Sequence, residues 1–518
     1  MPGRLADFFR FFWGLFYWNT RKTLFRWRGG HCPCQNPSDS GRALETTCDA
    51  CLHWHQPARF RRVCPLLVIT PNGLRCSVNT KDVRPFWGRA IGFYSGTLAA
   101  SWLAVVLGVF VLLRGIGYPV NLMAVAWLPA RSARSEISTA RGEYFFQKAL
   151  RALAANRAKE AGLALRNAYE CNPHDYRIGL MLAKLFQVGQ PAQADFVYAH
   201  LLHDDPAQSA LIAEQWYRGL LARGDFQEIA QVVPVFLVHD AAHAHVWMHA
   251  MFFATRYLGD DRPLRQMLAQ DYPLAPGLRH LVEIELLVET GRTNEAHEAL
   301  RALHVDMSYI AYYQASELTA LGFPDEALAS VNNNAGFLPS QDVSALRLDA
   351  FGAKGWMSLV RNEVELVLGA PSSTTLVELL CAHFIRHPDP KLFAELFEKL
   401  RREPLPQTTA TYEATVALFC AAGVNGDWPN LLIARNALRQ LGLPSFNDLD
   451  QAEAFFRGQS DQQRLGNILP MFQPPPFEIA YATANDRLSS PVMLQPLALD
   501  VTYALFEHYR DKPVAAPQ

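Results

Sequence analysis

The sequence predicts an all-α protein: an α-solenoid of antiparallel helix pairs, preceded by a small cysteine-rich module and one transmembrane helix. Three observations predict it. In the helical-repeat region 141–470, helix-breaking residues recur at a near-constant interval from Asn156 to Gly355, a run of 24 residues without a charge separates Arg89 from Arg114, and six of the nine cysteines lie between Cys32 and Cys76. A chain of 518 residues is long enough for several domains, and 48 Lys plus Arg against 49 Asp plus Glu leaves no basic excess to favour a nucleic-acid partner.

Residues 1–30 come first. Arg4, Arg10, Arg21, Lys22, Arg26 and Arg28 stand against the single acid Asp7, interleaved with Phe8, Phe9, Phe11, Phe12, Trp13, Phe16, Tyr17 and Trp18. Aromatic rings favour the headgroup region and arginines attract anionic lipid, so the segment is expected to form an amphipathic helix at the membrane surface. Its rival is a hydrophobic helix packed on the cysteine module. Arg10 interrupts the apolar run and no small-residue cleavage site follows, which argues against a secretory signal.

Residues 31–84 hold Cys32, Cys34, Cys48, Cys51, Cys64 and Cys76 with His53 and His55. A cysteine pair separated by one or two residues presents two sulfurs from a tight turn, and two such pairs complete the tetrahedral shell of zinc. Cys32, Cys34, Cys48 and Cys51 form the first such set. Cys64 and Cys76 are left to join His53 or His55 in a second, or to replace members of the first. The segment is rich in turn formers and poor in apolar runs, so it needs a staple. Zinc in a structural role is the expected cofactor; an iron–sulfur cluster and disulfides are the rivals. Cys171, Cys381 and Cys420 are scattered and read as buried core residues.

The transmembrane helix is placed at 90–113, since 24 uncharged residues exceed the roughly 30 Å hydrocarbon core of a bilayer as a helix. Within residues 114–140 the apolar run from Gly115 to Ala130 is too short to cross again and is interrupted by Pro119, so the segment reads as a linker or an interfacial stretch. Basic residues are slightly denser before the span (Arg75, Lys81, Arg84, Arg89) than after it (Arg114, Arg131, Arg134), which favours a single-pass protein with a cytoplasmic N-terminus and a non-cytoplasmic C-terminal part.

Beyond residue 141, breaks fall at Asn156, Gly189, Gly224, Gly259, Gly291, Gly322 and Gly355, separated by 33, 35, 35, 32, 31 and 33 residues. Such a period means stacked helical hairpins. Small residues recur within the units: Ala149, Ala161 and Ala168 in the first, closed by Pro173, then Ala194, Ala296 and Ala327. On these residues the segment 142–445 resembles the tetratricopeptide repeat family. Ile229, Leu264 and Val360 stand where the small residue is expected, so those units look degenerate. The resemblance implies a concave groove for a peptide or partner protein, with Trp216, Tyr217, Trp247, His249, Tyr312, Tyr313 and Gln314 as candidate lining, although aromatics at helical spacing more often lie in the core. Residues 471–518 are expected to cap the array, with a last helix near Leu497 to Arg510.

His245 and His249 have the i, i+4 spacing of metal ligands but lack the acid of an HExxH motif. Cys381 and His383 are too close in sequence to act as nucleophile and base. There is no phosphate-binding loop, dinucleotide fingerprint or nucleophile elbow. The expected function is therefore a membrane-anchored scaffold for protein–protein interaction, not an enzyme, contacting lipid through the span and N-terminal helix. A metal or redox sensor and an envelope enzyme without a local signature are the alternatives.

Overall fold

The computed structural model describes residues 67–70, 73–76, 83–127, 131–155, 157–187, 189–270, 272, 274–406, 408–441, 446–459, 465–473 and 496–510. The chain divides into two compact units, residues 1–134 and 135–518. Residues 1–30 and the proposed ligands Cys32, Cys34, Cys48, Cys51, His53, His55 and Cys64 lie outside the described residues. Cys76 lies in a strand.

In the first unit, β1 (Leu67–Thr70) and β2 (Gly73–Cys76) form an antiparallel hairpin in which Leu67 faces Cys76 and Thr70 faces Gly73. A single helix follows, α1 (Val83–Ile116), and its stretch Ser95–Ile116 is long and apolar enough to cross a membrane. Its 22 residues reach about 33 Å at about 1.5 Å per residue. The core helix of a soluble domain would be covered, whereas Leu98 is 75% and Val111 66% exposed. Next comes the short α2 (Leu122–Ala126), capped by the Asn121 side chain, which accepts the Met123 N–H. Leu122, Met123 and Trp127 are exposed around it.

The second unit is helical throughout its described residues. Helix α3 (Arg131–Ala154) starts ahead of the expected boundary at residue 141, and its first residues belong to the preceding unit. There follow α4 (Ala158–Cys171), α5 (Tyr176–Phe186), α6 (Pro191–Asp204), α7 (Ser209–Arg223), α8 (Phe226–His239), α9 (Ala244–Leu258), α10 (Arg262–Ala269), α11 (Pro276–Glu289), α12 (Thr293–Ala302), α13 (Ser308–Ala320), α14 (Pro324–Asn333), α15 (Ser340–Lys354), α16 (Met357–Gly369), α17 (Thr374–Arg386), α18 (Pro390–Arg402), α19 (Tyr412–Val424), α20 (Trp428–Leu441), α21 (Phe446–Phe456), α22 (Leu465–Ile468) and α23 (Pro496–Arg510).

Glycines at the period breaks end the helices. Gly224, Gly259, Gly291, Gly322 and Gly355 all have positive φ, a conformation that disfavours any residue with a Cβ. At Gly224 the geometry is a Schellman cap: its N–H donates to the Leu221 carbonyl and the Asp225 N–H to that of Leu220, so carbonyls at the helix end are satisfied. Gly355 repeats the pattern with Gly352 and Phe351. Gly189 is not among the positive-φ glycines, and Asn156 lies outside the described residues.

Ala149, Ala161, Ala168, Ala194, Ala296 and Ala327 are all buried, as are Ile229, Leu264 and Val360 in the units lacking the small residue. Many consecutive helices pack on one another, and an inner row forms from alternate members: α9 touches α11, α11 touches α13, and so on through α15 and α17 to α19. Helices far apart in the chain also meet. Arg218 of α7, 2% exposed, pairs with Glu214 of its own helix and with Glu413 of α19, at 3.0 and 3.4 Å. Helix α23 packs against α9, α17 and α19, so the last helix fills the inner face of the row. One apolar core runs from Leu180 to Phe506; it includes Cys381 and Cys420 as expected, whereas Cys171, the last residue of α4, is only half-buried.

Close helix approach at Gly423 of α19 gives a stability prediction. A Cβ there would lie 2.4 Å from Cγ of Phe456, so G423A is expected to lower stability by about 1–3 kcal/mol, read from the urea midpoint.

Candidate functional site: the polar interior of the helical row

The groove candidates fall into two groups. Trp216, Tyr217, Trp247, Tyr313 and Gln314 are buried, whereas His249 and Tyr312 are partly so. Trp216 Nε1 donates to Asp195 at 2.8 Å, Trp247 Nε1 to Asp240 at 3.1 Å, and Gln314 Nε2 to the Leu300 carbonyl at 2.6 Å. Tyr217 meets the Trp247 ring edge-on. Trp216, Trp247 and Gln314 therefore fasten helices together through polar groups that find a partner, whereas Tyr217 does so through its ring alone. His249, Tyr312 and Tyr313 instead line a small pocket with Phe252, Arg256, Glu317, Arg386 and Tyr503. Burial pushes His249 down to about 4, so it is neutral at physiological pH.

That pocket borders a ladder of buried charges linking three helices of the inner row. Arg256 of α9 grips Glu285 of α11, with Nη2 at 2.6 Å, and the same nitrogen reaches Glu317 of α13 at 2.8 Å. The Tyr313 hydroxyl donates to Glu285 at 2.6 Å. Glu285 is 0% exposed. Two carboxylates that share one guanidinium are tolerable only because each also has a close partner or a raised pKa. Burial pushes Glu317 up to about 7 against the pull of Arg256.

Glu289, one turn beyond Glu285 on α11, is pushed by burial up to about 7 from its ordinary 4.5. Between those values the folded chain holds a proton that the unfolded chain has lost, so stability falls as pH rises through this window. E289Q removes that liability. Screening by solvent at this partly exposed site reduces the effect, and the expected gain is about 1–2 kcal/mol at pH 8, vanishing near pH 4. Urea midpoints of both proteins at the two pH values measure it.

A second polar cluster lies at the meeting of α15, α17 and α23. Asp349 Oδ2 accepts from Arg386 Nη1 at 3.0 Å, and Arg386 Nε donates to Glu507 of α23 at 2.7 Å. His383 lies beside them, its Nδ1 3.7 Å from Asp349 Oδ1. That separation is beyond hydrogen-bond reach, and the nitrogen has no hydrogen-bond partner. His387 lies flat against Gly352 of α15, where a Cβ would come within 2.5 Å of the ring. Burial opposes ionisation of Asp349, but Arg386, with His383 and His387 nearby, holds its carboxyl down at about 2; burial holds His387 down at about 4. A neighbouring cavity of about 230 Å³ is lined by Asp349, Arg386, His387, Glu507 and His508.

None of these residues was singled out from the sequence as a site. His383 and His387 do have the i, i+4 spacing that was noticed at His245 and His249, but Asp349 joins them only through the packing of α15 on α17. Comparison with family models finds no match to this chain, and comparison with curated proteins finds none either.

Proposed function

We propose that the chain is a single-pass membrane scaffold in which a tetratricopeptide-like solenoid recruits a helical segment of a partner protein, and in which residues 31–84 form a structural zinc module. The observation that supports recruitment is the seat of α23. Its residues Val501, Tyr503, Ala504, Leu505 and Phe506 are buried against the row, with Phe506 on Phe253 and Tyr257. An inner face that accepts one amphipathic helix has the chemistry to accept another, by the helix-in-groove mode. The exposed apolar length of α1 supports the anchor. The basic residues ahead of it favour a cytoplasmic N-terminus, with the solenoid on the other side.

Crosslinking in native membranes tests the proposal, with the full chain compared with a chain ending at residue 495. A partner held in the row is expected to be recovered reproducibly, and in greater yield once α23 no longer competes. Recovery of no reproducible partner by either chain counts against a scaffold. Protease protection of sealed vesicles reads the orientation, since a C-terminal part digested from the cytoplasmic side reverses it.

A further inference from the structure

We propose that Asp349, His383 and His387 bind one divalent transition-metal ion of the zinc class, at a site separate from the cysteine module. One ligand atom from each of the three lies within 4.8 Å of the other two. A tetrahedral ion with bonds of about 2.0–2.2 Å holds its ligands about 3.3–3.6 Å apart, and Asp349 Oδ1 is already 3.7 Å from His383 Nδ1. Closing the site therefore requires side-chain adjustments, with no rearrangement of helices.

Four further features point to a ligand. First, the His383 side chain is 3% exposed and its Nδ1 has no hydrogen-bond partner. A buried imidazole nitrogen is normally satisfied, and a metal ion would occupy that lone pair. Second, the histidines are four residues apart, and the His387 N–H donates to the His383 carbonyl at 2.8 Å, so the helical turn extends through both and places them on one face. Third, Asp349 offers one oxygen to the histidines while Arg386 holds the other at 3.0 Å, and Arg386 is held in turn by Glu507. Outer partners of this kind fix a ligating carboxylate in place. Fourth, the close approach at Gly352 seats the His387 ring.

Two imidazoles and a carboxylate suit zinc and its first-row neighbours better than calcium or magnesium, which prefer all-oxygen shells. Three protein ligands leave a tetrahedral ion one short. The cavity lined by Asp349 and His387 has room for water in the fourth position, so the ion would be exchangeable and accessible, unlike one in a closed four-cysteine shell.

The test uses the untagged full-length chain in detergent, with accessible thiols alkylated so that cysteines contribute no ligands, stripped with a chelator and then titrated with cobalt(II). The expected result is one equivalent bound, with the visible absorption of a nitrogen- and oxygen-ligated ion and no thiolate charge-transfer band. H387Q should lose that equivalent while keeping its helical circular dichroism. Binding of no cobalt by the wild type, or retention of the equivalent by a folded H387Q, overturns the proposal. Should H387Q fail to fold, X-ray absorption of the zinc-loaded wild-type chain decides: two imidazoles in the first shell support the site, and a shell without imidazole scattering refutes it.

Discussion

Replacing Arg256 with alanine is expected to lower stability by about 3–5 kcal/mol, because it strips the shared partner from two carboxylates that stay buried. Glu285 is wholly enclosed, and Glu317 nearly so. The Tyr313 hydroxyl would still donate to Glu285, but a neutral phenol does not replace a guanidinium. The loss arises from unpaired charge rather than from lost volume. A triple variant, R256M with E285Q and E317Q, is therefore expected to recover much of it, since replacing a buried ion group by neutral side chains of similar size is often close to neutral. Urea midpoints for the single and triple variants measure both effects. A triple variant no more stable than R256A would show that packing of the guanidinium dominates.

The second large effect is expected from A504R. Ala504 is fully buried in α23, and an arginine there has no route to water without unseating the helix. Release exposes Phe253, Tyr257 and the apolar residues of α17 that α23 covers. It also separates Glu507 from Arg386. The combined loss is expected to be at least about 4 kcal/mol, beyond the range of most single substitutions. Limited proteolysis should cut first near residue 495 in A504R and not in the wild type, with dye binding reporting the uncovered apolar face. An unchanged digestion pattern would mean that α23 contributes little to closing the row.

Local signals in the chain were legible because they are set by backbone chemistry. The glycines at 224, 259, 291, 322 and 355 mark helix ends by a conformation that other residues avoid, and each has positive φ in the structure. The apolar run of α1 is likewise a property of composition and length. Ile229, Leu264 and Val360 are buried as fully as the alanines at the matching places in the sequence, so the helix face, more than side-chain size, determines what is covered.

Long-range organisation was less legible. Trp216, Tyr217 and Trp247 could line a groove or lie in a core on periodicity alone, and what separates the two outcomes is a partner such as Asp195 or Asp240 at the polar tip. Arg218 and Glu413 are 195 residues apart in the chain. No periodicity relates them, nor Asp349 to His383. Such pairings follow from how the helices pack as a whole, which no local pattern in the chain encodes.

The seat of the last helix bears on how the protein is made. Linear repeat arrays gain stability unit by unit, so early units can fold while later ones are still being synthesised. Here α9, formed early, finds part of its cover in the fifteen residues of α23. Until α23 has been made, the faces of α9, α17 and α19 that it covers stay open, and its arrival joins helices far apart in the chain into one cooperative body.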